Sequence, residues 1–141
     1  LAPQVLVTTK IGCIHPNDGF DHSYARAIRS FEGSAARLKR NHFDVLYLHD
    51  PMGFPMDFVM GASGTMQALR DLRADGKVKW IGVAANDPDT AADYIETGEF
   101  DVATVSGAWS LINQKAKERI FPAASRCERH RERMYCARIH R

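Results

Sequence analysis

Asp44-Val45-Leu46-Tyr47-Leu48-His49-Asp50 decides how this chain is read. Val45 to Leu48, entered from Phe43, form a strand-forming run that is apolar on both faces. Such a run belongs inside a parallel sheet covered by helices. It passes without a break into His49 and Asp50, and Pro51 then ends it, because proline cannot continue a central strand. Ligands in α/β architectures gather where strands finish at their carboxyl edge. A histidine at that edge is placed for chemistry rather than packing.

Working back from it, Tyr24, Ala27, Ile28, Phe31, Ala35 and Leu38 recur at three- and four-residue intervals. They predict one apolar stripe on a helix that starts at Asp21 or Ser23 and runs to about Arg40. Gly33 interrupts that helix at a cost of about 1 kcal/mol relative to alanine. Val5 to Thr9 predict a short buried strand that delivers Lys10 to its end, with Gly12 turning the chain out. A lone lysine there is by default a solvated surface charge. Cys13, His15 and Asp18 follow in a loop, without the spacing of a metal-ligand pair.

Working forward, Met52, Phe54, Met56, Phe58 and Met60 occupy a loop rich in Pro and Gly. They either line a substrate pocket or pack the loop onto the rim of the sheet. A helix over about 65–74, a strand over 78–84 ending at Ala85-Asn86-Asp87, and a helix opened by Asp87-Pro88-Asp89 come next. Phe100 to Val105 predict a fourth strand, leading into Ser106-Gly107-Ala108-Trp109-Ser110, and a last helix begins after Asn113. The order is β-α-β-α-β-α-β-α with short links, which means a parallel sheet with right-handed crossovers. Lys10, His49, Asn86 and the segment from Ser106 all fall at carboxyl ends of strands. Pattern alone leaves open sheet and barrel both open, and it contains neither the Gly-x-Gly-x-x-Gly nor the P-loop phosphate device.

The 141 residues amount to about one domain, and the net charge of +2 gives no reason to invoke nucleic acid. No apolar run approaches the roughly 20 residues of a membrane span. The start lacks both a signal-peptide pattern and an initiator Met, so a fragment is expected. Three widely spaced cysteines argue against a disulfide framework and for a cytoplasmic enzyme. Residues 125–141 hold six Arg against two Glu and no Gly, whereas the preceding part holds thirteen Lys and Arg against fifteen Asp and Glu. That break predicts two parts, 1–124 and an unrelated basic tail 125–141 without a strand, the product of a shifted reading frame. Cys127, His130, Cys136 and His140 in the tail match no trusted zinc spacing.

Val-Leu-Val-Thr-Thr-Lys-Ile-Gly (5–12), Asp-Val-Leu-Tyr-Leu-His-Asp (44–50), Gly-Lys-Val-Lys-Trp-Ile-Gly-Val (76–83) and Trp-Ser-Leu-Ile-Asn-Gln (109–114) resemble the aldo-keto reductase family. Ser-Ala-Ala-Arg-Leu-Lys (34–39) is similar to that family's helix between its lysine and histidine strands. The resemblance covers about residues 3–124 in order. His-Asp-Pro (49–51) and Ser-Leu-Ile-Asn-Gln (110–114) look most like the L-fucose and D-threo-aldose 1-dehydrogenase branch. It implies an α/β fold, a partial (β/α)₈ TIM barrel made of about strands 3 to 6 with their helices. It also implies hydride transfer between NAD or NADP and a small-molecule carbonyl or sugar, with no metal, nucleic acid or membrane partner.

By that resemblance Lys10 and His49 are catalytic, and Asn86 and Ser106 bind the cofactor. The family's usual Ser before the Asn is Ala85 here, and its carboxamide-binding Gln falls at the shorter Ser106. The tetrad's Asp and Tyr are expected before residue 1, and the family's late strands that bind the cofactor's pyrophosphate and adenosine find no counterpart in this sequence. Two other readings are a non-catalytic barrel remnant that binds a partner, and a metal-dependent hydrolase with His49 and Asp50 as ligands.

Overall fold

A computed structural model of the protein describes residues 5–12, 21–128 and 135–138. The chain runs β1 (Thr8–Ile11), α1 (Tyr24–Leu38), β2 (Phe43–His49), α2 (Met56–Met60), α3 (Thr65–Ala74), β3 (Val78–Ala85), α4 (Pro88–Glu96) and β4 (Val102–Val105). A single 3₁₀ turn at Lys115–Lys117, α5 (Ile120–Glu128) and β5 (Tyr135–Arg138) complete it. All four strand pairings are parallel, and the spatial order β1-β2-β3-β4-β5 is the sequence order. A doubly wound sheet reverses its strand order and carries helices on both faces. This sheet never reverses, so right-handed crossovers place its helices on one face, as in a segment of a barrel.

Two helices, α1 and α4, begin where the sequence supplies side-chain caps. Ser23 Oγ accepts the Arg26 N–H at 3.3 Å and Asp21 Oδ1 accepts the Ser23 N–H at 2.8 Å, opening α1. Lys39, at φ 50°, closes it in the left-handed region. Asp87 opens α4 by accepting the Thr90 N–H and hydroxyl, and the backbone bond holds its carboxyl below the usual carboxylate range.

The parallel register sorts side chains between two layers, because register partners share a face and neighbours alternate. Leu46, Leu48, Ile81, Val83, Ala103 and Val105 join the main core beneath the helices. Val45, Tyr47, Ala84 and Val102 form a smaller cluster on the opposite, inner face, with Trp80 against it. Tyr47 lies across Gly82: a Cβ there would stand 2.3 Å from the ring.

Several elements differ from the expectations. The first strand starts at Thr8, and Val5 and Leu6 are exposed, since among the described residues β1 pairs with β2 alone. Leu38 is half exposed in the last turn of α1, while Ser30 and Ser34 are buried in the stripe. The loop after β2 contains the short helix α2, and a 3₁₀ turn precedes α5. The tail, expected to lack a strand, supplies β5 parallel to β4 with Val102 opposite Tyr135. Four residues without β-branching carry no strand signal, but an edge strand needs little beyond backbone bonds to its neighbour. The position expected as a boundary, Ala124, lies within α5.

Gly82→Ala is expected to cost about 1–3 kcal/mol through overpacking, read as a lower urea midpoint. With Tyr47→Ala in the same chain that added penalty should vanish, giving a non-additive double-mutant cycle.

Candidate functional site

The register places the expected catalytic pair. Lys10 is opposite Tyr47, Tyr47 opposite Gly82 and Gly82 opposite Val102, one row across the inner face. His49, Ala84 and Thr104 form the next row toward the carboxyl edge. Lys10 and His49 therefore share the inner face on adjacent strands, about 8 Å apart between Cα atoms by ordinary strand spacing. Lys10 is exposed and His49 half-buried. Asn86 and Ser106 are the first residues after β3 and β4, and their preceding residues Ala85 and Val105 are register partners. Asn86 is exposed and Ser106 half-buried. All four lie at or near one edge of the sheet.

Asp50 ties this edge together. It is buried at φ 45°, a left-handed conformation uncommon for a residue with a side chain. Its N–H donates to the Ala84 carbonyl at 2.9 Å. Its Oδ1 accepts the Asn86 backbone N–H and its Oδ2 the Asn86 Nδ2, both at 2.8 Å. The same Oδ2 lies 3.5 Å from His49 Nε2, within pairing range of a protonated imidazole. The Asp50 carbonyl faces His22 Nε2 at 3.3 Å.

His22 is fully buried beneath that turn, with Nδ1 3.4 Å from Thr65 Oγ1 and its ring edge-on to Phe54. Gly12, at φ +119°, passes so close that a Cβ would stand 2.6 Å from His22 and 2.9 Å from the His49 carbonyl. Only glycine combines that φ with that approach. Burial, the largest influence, pushes the His22 imidazole below its usual range, opposed by its bond to the Asp50 carbonyl and by the Asp21 and Asp50 charges. Thr104 Oγ1 is buried on the inner row without a hydrogen-bond partner among the described residues.

Beyond β4, the segment after Ser106 is braced from within. Asn113 Nδ2 donates to the Gly107 carbonyl at 2.9 Å, and Ser110 N–H to the Asn113 carbonyl at 2.7 Å. Trp109 packs edge-on against Phe121. Met52, Phe54, Met56 and Met60 pack against the main core. The first three also line a cavity of about 450 Å³ shared with Thr90 and Tyr94 of α4, and the four expected site residues take no part in it. So these side chains pack the rim, and the cavity they line lies beside α4. Cys13, His15, Asp18, His130 and His140 lie outside the described residues, as does the side chain of Cys136. Cys127 donates its thiol to the Ile95 carbonyl. Among the described residues no cluster of three His, Cys, Asp or Glu is arranged to hold a metal ion.

Asp50 and His22 are the residues whose part sequence reasoning missed. Asp50 was visible beside His49, but its partner Asn86 is 36 positions away. His22 sits between two capping residues and carries no hydropathy signal.

The singly wound parallel sheet agrees with what sequence comparison finds. The model of the Aldo/keto reductase family matches residues 2–129. The chain belongs to that family. It is 32% identical over 114 residues to a pyridoxal 4-dehydrogenase of Microbacterium luteolum, a match covering 76% of this chain and 33% of the relative. It is 31% identical over 96 residues to a D-threo-aldose 1-dehydrogenase of a Pseudomonas species, covering 68% and 29%. Among solved structures, the holo form of an aldo-keto reductase from Bacillus halodurans superposes with a TM-score of 0.75 at 19% identity, covering 95% of this chain and 42% of that one. The fold is thus that family's TIM barrel in part, and the chain spans about a third of the length of the curated relatives it matches.

His22 gives a pH prediction. Its folded-state value is lowered, so the unfolded chain binds the proton more readily and stability falls as pH drops below about 6.5. Urea midpoints measured from pH 8 to 5.5 should decline in the wild type. The decline should be shallower in His22→Gln, which keeps a polar group but cannot titrate in this range.

Proposed function

We propose that this chain is part of an NAD- or NADP-dependent oxidoreductase that moves hydride between the nicotinamide and a small-molecule carbonyl or sugar. Lys10 and His49 are its catalytic residues, and Asn86 and Ser106 contact the cofactor. The observation that carries this reading is the shared inner face of Lys10 and His49, with Asn86 and Ser106 on the rim beside them. When bound, the nicotinamide supplies or accepts the hydride. The residues present fit it: Thr104 Oγ1, on the His49 row, is a buried polar atom without a hydrogen-bond partner among the described residues, and Asn86 offers an amide at the rim.

The chemistry asks for these residue types. A carbonyl under reduction develops negative charge on oxygen, and the Lys10 ammonium supplies positive potential there. By the resemblance the proton donor is a tyrosine expected before residue 1, not Tyr47, and a lysine beside it favours the phenolate, which lets it give or take a proton. His49 orients the same oxygen by a hydrogen bond. Within the family we place the chain in the aldose-oxidising branch. Support comes from His49-Asp50-Pro51, from Ser110 to Gln114, and from the 31% identity to the D-threo-aldose 1-dehydrogenase. The enzyme is placed in the cytoplasm on its cysteine usage. Among the described residues no helix is long and apolar enough to cross a membrane. The same reading treats 125–141 as a basic tail of separate origin, on its composition.

Three measurements test the reading. The product of the complete reading frame that carries this chain should oxidise aldoses or reduce carbonyls with NAD or NADP. Lys10→Met and His49→Ala should each lower kcat/KM by roughly 10²-fold or more. No turnover across an aldose and carbonyl panel with either cofactor would refute the activity. The purified 141-residue chain, by contrast, should show no turnover and poor solubility, since a sheet with unpaired edges pairs with other chains. Sequencing the coding DNA on both sides of codon 125 should reveal a frame change, and an unbroken frame continuing this peptide would refute the separate tail.

A further inference from the structure

The Asn86 side chain touches the Asp50 carboxylate through Nδ2, while the Asn86 backbone N–H occupies the other carboxylate oxygen. A carboxylate only accepts, so it fixes which way the amide faces: nitrogen inward, oxygen Oδ1 away from Asp50. Asp50 cannot easily turn. Its N–H is bonded to Ala84, its carbonyl faces His22, and Pro51 follows it.

We propose that Asp50 is a positioning residue that presents Asn86 Oδ1 as a fixed acceptor, so that the site selects the carboxamide of a nicotinamide nucleotide over its deamidated, carboxylate-bearing form. The inference rests on the cofactor reading above and adds a specificity to it. A carboxamide offers an N–H to the fixed oxygen. A nicotinate offers only oxygens, which leaves two acceptors opposed and unpaired.

Asp50→Asn tests this because the isosteric change has one satisfactory arrangement. The Asn86 backbone N–H cannot turn, so the new side chain must keep its oxygen there. Its amide nitrogen then meets the Asn86 side chain, which has to flip, presenting Nδ2 outward. The site now offers a donor, and the preference changes sign.

Two measurements on the purified product of the complete reading frame that carries this chain separate the possibilities. In ¹⁵N spectra without ligand, the Asn86 side-chain amide, assigned by its loss in Asn86→Ala, should show slowed solvent exchange that Asp50→Asn abolishes. In titrations followed by the same spectra, the wild type should bind nicotinamide mononucleotide at least about tenfold more tightly than nicotinate mononucleotide. Asp50→Asn should remove or invert that ratio, a change that general loosening of the fold would not produce. If both nucleotides bind equally to the wild type, or the ratio is unchanged in Asp50→Asn, the positioning role is overturned while the cofactor reading stands. If neither binds although the Asn86 amide is protected and responds to Asp50→Asn, the cofactor reading fails and the selectivity falls with it. An unprotected Asn86 amide overturns the proposal directly.

Discussion

The pairing of β2 with β3 is the constraint on which the rest of the molecule depends. From Phe43 opposite Val78 to His49 opposite Ala84, it sets in one stroke which side chains go beneath the helices and which go to the inner face. A slip of one residue would exchange the two sets, sending Leu46 and Leu48 inward and Tyr47 among the helices. Burial of Leu46, Leu48, Ile81 and Val83 on one side, and of Val45, Tyr47 and Ala84 on the other, holds the register from both faces. Only with that alignment fixed do Asp50 and Asn86 emerge side by side.

The rim shows how a parallel sheet turns strand alignment into local chemistry. Every strand ends facing the same way, so residues far apart in sequence meet at one edge. Here the meeting is organised by a carboxylate that is almost wholly out of water and accepts two N–H groups. A buried carboxylate without such partners would be unfavourable by several kcal/mol. The bonds to Asn86 therefore satisfy Asp50 and hold the two strand ends together. His22 and Gly12 continue the same support toward β1, the imidazole filling the space that glycine leaves open.

The sequence was legible where one local signal is sufficient. β2 and β3 announce themselves as apolar runs, α1 and α4 by Ser23 and Asp87 at their starts, and His49 by its place after a buried strand. The alternation of elements showed a parallel sheet, but the family resemblance was needed to choose a barrel over an open sheet. What escaped depends on register or on edges. The Asp50–Asn86 contact joins two elements by an alignment that neither encodes alone. The true start of β1 depends on its pairing with β2, and β5 is set by its pairing with β4. His22 is a polar residue buried by its surroundings, and nothing adjacent in sequence signals that.

Winding in a single direction has a mechanical corollary. Each strand is bonded to the ones immediately before and after it in the chain, so no long-range closure has to form before local pairs can. Order can spread from any paired neighbours in either direction along the sheet. A sheet assembled this way behaves like a stack of repeats, each strand held by its immediate neighbours.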